Sequence, residues 1–179
     1  MRISAHTLVA YLVLLVLGSV WRLLPIGVAH AAVPDLSALV AAYLGLTARA
    51  AIAPAVAGAV AVGYLADLIG GAPPGLHALI GGAVCLLGRG VHRRLLVRGW
   101  AVTLGFSGFV GAVAALLTIV IRMMSNRAVQ PGTALWELVA VAIGTAAIGP
   151  LVFRLHRRID AAFARTHRER DAALEGITS

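Results

Sequence analysis

The stretch GYLADLIGGAPPGLHAL, Gly63 to Leu79, holds two apolar runs parted by a break of small and cyclic residues. Gly70 and Gly71 predict the end of a helix, because glycine accepts the left-handed backbone that closes one. Pro73 and Pro74 cannot continue it, and Gly75 leaves room for a second helix to start tightly. A single carboxylate, Asp67, lies just before the break, and His77 just after it. The reading of this corner fixes the rest: two helices turn back on each other, inside a chain with very little polar surface.

That scarcity is quantitative. Of 179 residues, 60% are hydrophobic and 12% charged, with a mean hydropathy of +0.94. A water-soluble domain of this length needs more polar surface to cover its core. Long apolar stretches between short polar ones predict membrane spans. The fold class expected is an all-α polytopic membrane protein.

Six spans are predicted: about Thr7 to Leu24, Leu36 to Ala48, Ala51 to Ile69, Leu76 to Leu87, Trp100 to Ile121 and Ala134 to Phe153. The second and fourth fall short of the ~20 residues that cross ~30 Å of hydrocarbon. The second can grow upstream to Val33 and the fourth downstream to Val97 with Arg89, Arg93 and Arg94 snorkelling, or they are short, tilted or partly re-entrant. Arginine placement sets the orientation. With the N-terminus inside, all 15 basic residues except Arg22, Arg122 and Arg127 lie on the cytoplasmic side, as the positive-inside rule requires. Both termini are therefore expected in the cytoplasm. Trp21, Trp100 and Trp136 all fall at span ends, where indole rings prefer the interface. Ala29-His30-Ala31 has the form of a signal-peptide cleavage site, but Trp21, Arg22 and Pro25 separate it from the apolar run, so the run is read as a retained span.

Residues 1–153 are expected to form the transmembrane domain and 154–179 a basic cytoplasmic tail. In that tail Leu151, Leu155, Ile159 and Phe163 recur every four residues beside Arg154, Arg157, Arg158 and Arg165. Such a stripe predicts that the last helix runs past the bilayer and lies along an anionic inner surface, or docks a cytoplasmic partner. Arg89, Arg93, Arg94 and Arg98 form a second basic patch, read as a topology anchor for anionic lipid headgroups. It has no interleaved aromatics that would suit nucleic acid.

Few residues suggest chemistry. A carboxylate at the bilayer centre costs ~2.5–3.5 kcal/mol, which makes Asp67 a functional candidate by default. It lies about three residues, or ~5 Å, from the outer end of its span, where headgroup water reduces that cost. Its natural use there is to accept hydrogen bonds from the open amides of the next helix, near Gly75 to Ala78. Ligand or partner binding and proton coupling remain alternatives. Gly63, four residues earlier on the same face, predicts a close helix contact. His77 reads as a cap or pocket residue, with no second ligand at metal spacing beside it. Cys85, the one cysteine, reads as a small core residue. Gly105-Phe106-Ser107-Gly108 has the GxSG form of a rhomboid protease nucleophile, but the last span holds no histidine to activate the serine. The glycines there read as helix packing. No enzyme activity and no cofactor are expected.

Three features taken together resemble the rod shape-determining protein MreD family. Pro34-Asp35-Leu36 opens the second span. Gly63, Asp67, Gly71, Gly75 and His77 follow the family's pattern of Gly, Asp four residues later, Gly, then Gly-Leu-His. Gly149-Pro150-Leu151-Val152-Phe153 precedes a basic tail. Pro74 departs from the pattern, where a small or aliphatic residue is more usual. The resemblance implies a non-enzymatic inner-membrane component of the bacterial cell-elongation machinery. It further implies a direct partner, the bitopic protein MreC, in a complex with MreB, a SEDS-family glycosyltransferase and a class B penicillin-binding protein. Pro34, Asp35, Gly63, Asp67, Gly71, Gly75 and His77 then become candidates for joint or partner contacts. Small residues on the third span (Ala53, Ala57, Ala61), the fifth (Gly111, Ala115) and the sixth (Ala140, Gly144) become candidate packing faces. MreD-like proteins also resemble, in size and helix number, the substrate-binding membrane components of energy-coupling-factor vitamin transporters. That supplies the alternative: binding of a small molecule in an outward pocket.

Overall fold

A computed structural model describes residues 6–14, 16, 33–48, 51–92, 99–124 and 131–175. Six helices run through them: α1 (residues 6–14), α2 (Leu36–Thr47), α3 (Ala53–Gly70), α4 (Leu76–His92), α5 (Trp100–Met124) and α6 (Pro131–Glu175). Arg93, Arg94 and Arg98, together with Trp21 and the Ala29 to Ala31 segment, lie outside the described residues.

The 12-residue α2 is the centre of the molecule. α2 packs against α3, α4, α5 and α6, and every residue from Leu36 to Gly45 is buried. A helix apolar on all sides has no solvent face to orient it, so it is enclosed on all sides. At 12 residues it spans roughly 18 Å, well short of ~30 Å of hydrocarbon. Glycines let its neighbours come close. A Cβ at Gly45 would land on the Cys85 carbonyl, and one at Gly88 would lie 2.7 Å from the Ala42 carbonyl. Between α3 and α4, a Cβ at Gly81 would stand 2.8 Å from the Ala59 carbonyl. These are backbone-to-backbone contacts of the kind that bind helices where no water drives them together.

The outside of the bundle carries large apolar side chains, and polar ones lie inside. Leu68, Leu79, Leu86, Phe109, Leu116 and Ile143 are all at least half exposed. The buried set includes Ser37, Asp67, Thr103, Ser107, Thr145 and two histidines. Three helices, Ala53–Gly70, Trp100–Met124 and Gly132–Arg165, are long and apolar enough to cross a membrane, and only 33%, 44% and 28% of their apolar windows are buried. Large exposed apolar area of this extent belongs against lipid or another protein.

Two helices run on past the spans. α4 continues past Leu87 to His92, within the extension toward Val97 that the sequence allows. α6 runs unbroken from Pro131 to Glu175, with Pro150 inside it. The stretch after Phe153 therefore begins as a continuation of the last helix, and His156 is buried in the bundle. The stripe expected beyond it is partly spent: Leu151 and Leu155 are exposed, while Ile159 and Phe163 are half-buried.

The small-residue faces divide into two kinds. Gly111, Ala115 and Ala140 are buried within the chain, where α5 and α6 make their contact. A Cβ at Gly111 would lie 2.7 Å from the Thr145 Cβ, so this face is already occupied. Gly144 is half-buried. Ala53, Ala57 and Ala61 are exposed on α3.

Candidate functional site

The corner between α3 and α4 is built on one carboxylate. Asp67 is 1% exposed at the last turn of α3. Its Oδ2 accepts from the Gly75 N–H at 2.9 Å and more weakly from the Ala78 N–H at 3.4 Å. Its Oδ1 accepts from the His77 N–H at 2.9 Å and from the His77 ring Nδ1 at 2.7 Å. The first amides of a helix have no partner within it and carry its positive end, so a carboxylate there is doubly favoured. The main chain of Asp67 is used as well: its carbonyl accepts from the amides of Gly71 and Ala72. Gly71 sits at φ 67° and Gly75 at φ 95°, the left-handed region that closes α3 and turns into α4. Behind the corner, a Cβ at Gly63 would strike the His77 carbonyl. Glycine at 63 and aspartate at 67 thus serve one joint.

The second element is the start of α2. Asp35 caps it, accepting from the Ala38 N–H at 2.9 Å and the Ser37 hydroxyl at 2.7 Å. The Asp35 N–H donates to Thr145 Oγ1 at 3.1 Å, which ties this end to α6. Pro34 is buried beside it.

Between the corner and this cap lies a cavity of about 580 Å³. Asp35, Ser37, His77, Arg122, Trp136 and Glu137 supply its polar and aromatic lining, with Leu14, Ala66, Ala115 and Val141 among the apolar groups. Arg122 donates to both oxygens of Glu137, at 2.9 and 3.3 Å, across the gap between α5 and α6. Because Asp67 accepts from Nδ1, the neutral His77 ring presents Nε2 as an acceptor. The volume falls in the range of small-molecule pockets. The arrangement can hold a ligand by hydrogen bonds and charge.

The remaining sequence candidates are placed as follows. Arg89 is half-buried on α4 and donates to the Ala48 carbonyl, closing the C-terminal end of α2. Ser107 is fully buried and donates to the Thr103 carbonyl at 2.7 Å, and a Cβ at Gly149 would meet it. The GxSG segment therefore sits in a helix contact. Cys85 is buried. Among the described residues, no cluster of three metal-binding side chains has the geometry to hold an ion.

No family model matches the chain, and neither a characterised protein nor a solved structure does.

Two groups were missed by the sequence reading. The Arg122–Glu137 pair joins residues 15 apart across a turn. A buried polar cluster joins His6, Tyr43, His156 and Asp160. His156 and Asp160 are one helical turn apart, a spacing that puts them on one face and was the available signal.

Proposed function

We propose that the chain is a multi-pass, non-enzymatic scaffold of the bacterial inner membrane, an MreD-like part of the cell-elongation machinery that holds a single-span partner of the MreC type. The observation that carries this is the outward face of α3. Ala53, Ala57 and Ala61 are exposed at four-residue spacing, while Ala59, Val62, Gly63 and Asp67 pack the opposite face inward. Small residues in a row allow another helix backbone to approach in lipid. Val60, Tyr64 and Leu68, all exposed, would flank that helix. In this reading six helices enter the bilayer, both termini are cytoplasmic, and Arg89, Arg93, Arg94 and Arg98 meet anionic headgroups. MreB, the SEDS-family glycosyltransferase and the class B penicillin-binding protein would be reached through the partner.

The test is affinity purification of the tagged chain from native membranes. A single-span MreC-type protein should co-purify, and Ala57→Leu should reduce its recovery about tenfold, the effect of ~1.4 kcal/mol. Undiminished recovery would remove α3 as the contact face.

The cavity favours a second reading, a small-molecule-binding component of a transporter. Its Trp136, His77 and Arg122–Glu137 groups are those that such a pocket needs. Co-purification of an ATPase pair in place of an MreC-type partner would select it.

A further inference from the structure

Far from the Asp67 corner, three helices meet at a chain of titratable groups. His6 on α1 and His156 on α6 are each 1% exposed. Their Nδ1 atoms lie 2.8 Å apart. His6 Nε2 lies 2.9 Å from Asp160 Oδ1, and Tyr43 on α2 donates its hydroxyl to Asp160 Oδ2 at 2.7 Å. The Tyr43 ring packs on both histidines, at 5.7 and 5.2 Å between centroids, and on Phe153 at 5.6 Å. Tyr43 on α2 and Asp160 on α6 are titratable groups that bond to or pack on the two rings. Arg154, Arg157 and Arg158 on the same helix are exposed.

Proton counting restricts this chain. Asp160 accepts from Tyr43, and as an acceptor it takes the Nε2–H of His6. A neutral His6 then offers a bare Nδ1, so His156 must donate from its own Nδ1. If His6 carries a second proton, it becomes the donor and His156 Nδ1 the acceptor. Both arrangements keep the 2.8 Å contact. With both rings doubly protonated, two N–H donors point at each other and the contact cannot persist.

We propose that His6, Tyr43, His156 and Asp160 form a proton-binding clasp that ties α1 and the far half of α6 to α2, closed while one proton is shared between the two Nδ1 atoms and opened when a second arrives. The clasp releases as pH falls, because the closed form binds fewer protons than the open form. It owes nothing to the choice between scaffold and transporter.

The test uses the full-length protein in micelles, labelled with ¹⁵N-histidine. At pH 7.5 the two Nδ1 atoms should carry one proton between them, the signals being assigned by His6→Gln and His156→Gln. Between pH 7.5 and 5 the wild-type Tm should fall by about 5 °C more than that of His156→Gln, which cannot take the second proton. Two bare Nδ1 atoms at pH 7.5, or equal pH slopes, would overturn the clasp. Should His156→Gln not fold, the wild type decides alone. Its Tm must fall as pH drops below about 6.5 while the two Nδ1 atoms still share one proton, because the unfolded histidines take up a proton that the closed clasp excludes; a Tm that stays flat to pH 5 would overturn the proposal.

Discussion

Replacing Asp67 by alanine removes every acceptor that the start of α4 uses from α3. Two amide bonds of 2.9 Å and one ring bond of 2.7 Å are lost, and the 3.4 Å contact adds little. Hydrogen bonds to a charged acceptor contribute about 1.5–3 kcal/mol each, so the two amides alone set a loss of about 3–6 kcal/mol. Alanine also removes the cost of keeping a carboxylate near the bilayer, ~2.5–3.5 kcal/mol at the centre and less at this depth. The net is about 2–4 kcal/mol, or roughly 10 °C in Tm for a chain of this size. Asparagine is the sharper probe. Both carboxylate oxygens accept from main-chain N–H groups, so one of them becomes an NH₂ that faces a donor. Asp67→Asn should therefore fall about halfway between wild type and Asp67→Ala. The assay is thermal unfolding in one detergent at one pH, followed by loss of helical signal. If both variants melt within ~1 °C of the wild type, the carboxylate does not hold the corner, and the reasoning from orphan amides fails.

Other consequences are open to the same assay. Gly63→Ala places a methyl against the His77 carbonyl and should cost about 1–3 kcal/mol, with α3 and α4 forced apart. Gly111→Leu should destabilise the chain itself, because Thr145 already fills that space, whereas Ala57→Leu should leave Tm within ~2 °C of wild type. Arg89→Ala removes the donor to the Ala48 carbonyl and should lower stability by about 1–2 kcal/mol through fraying at the end of α2. A cysteine at position 93 or 94 should resist a membrane-impermeant reagent added from outside, and labelling there would invert the orientation.

Helix positions were legible because the signals that end a helix are local. Gly71, Pro73 and Pro74 stop α3 whatever surrounds them, and Gly99 precedes the run that becomes α5. The role of Asp67 was legible for the same reason, as a carboxylate beside the open amides of a new helix, whereas the capping by Asp35 was not read. What the sequence hid was which small residues face inward. Gly111 and Ala57 look alike along the chain, yet one packs on Thr145 and the other is exposed. That distinction depends on how helices are arranged around α2. The histidine cluster was hidden by distance, since His6 and His156 are 150 residues apart. The continuation of α6 past Phe153 was legible in the four-residue apolar stripe, and Pro150 is carried inside the helix as the span Ala134 to Phe153 already required.

The central claim, a membrane scaffold that receives another helix on α3, is met most directly by photo-crosslinking in living cells. A photoreactive residue at Ala57 or Ala61 should capture a single-span MreC-type protein, while one at Ala115, buried between α5 and α6, should capture none. Capture from Ala115 alone, with Ala57 and Ala61 silent, would contradict the account.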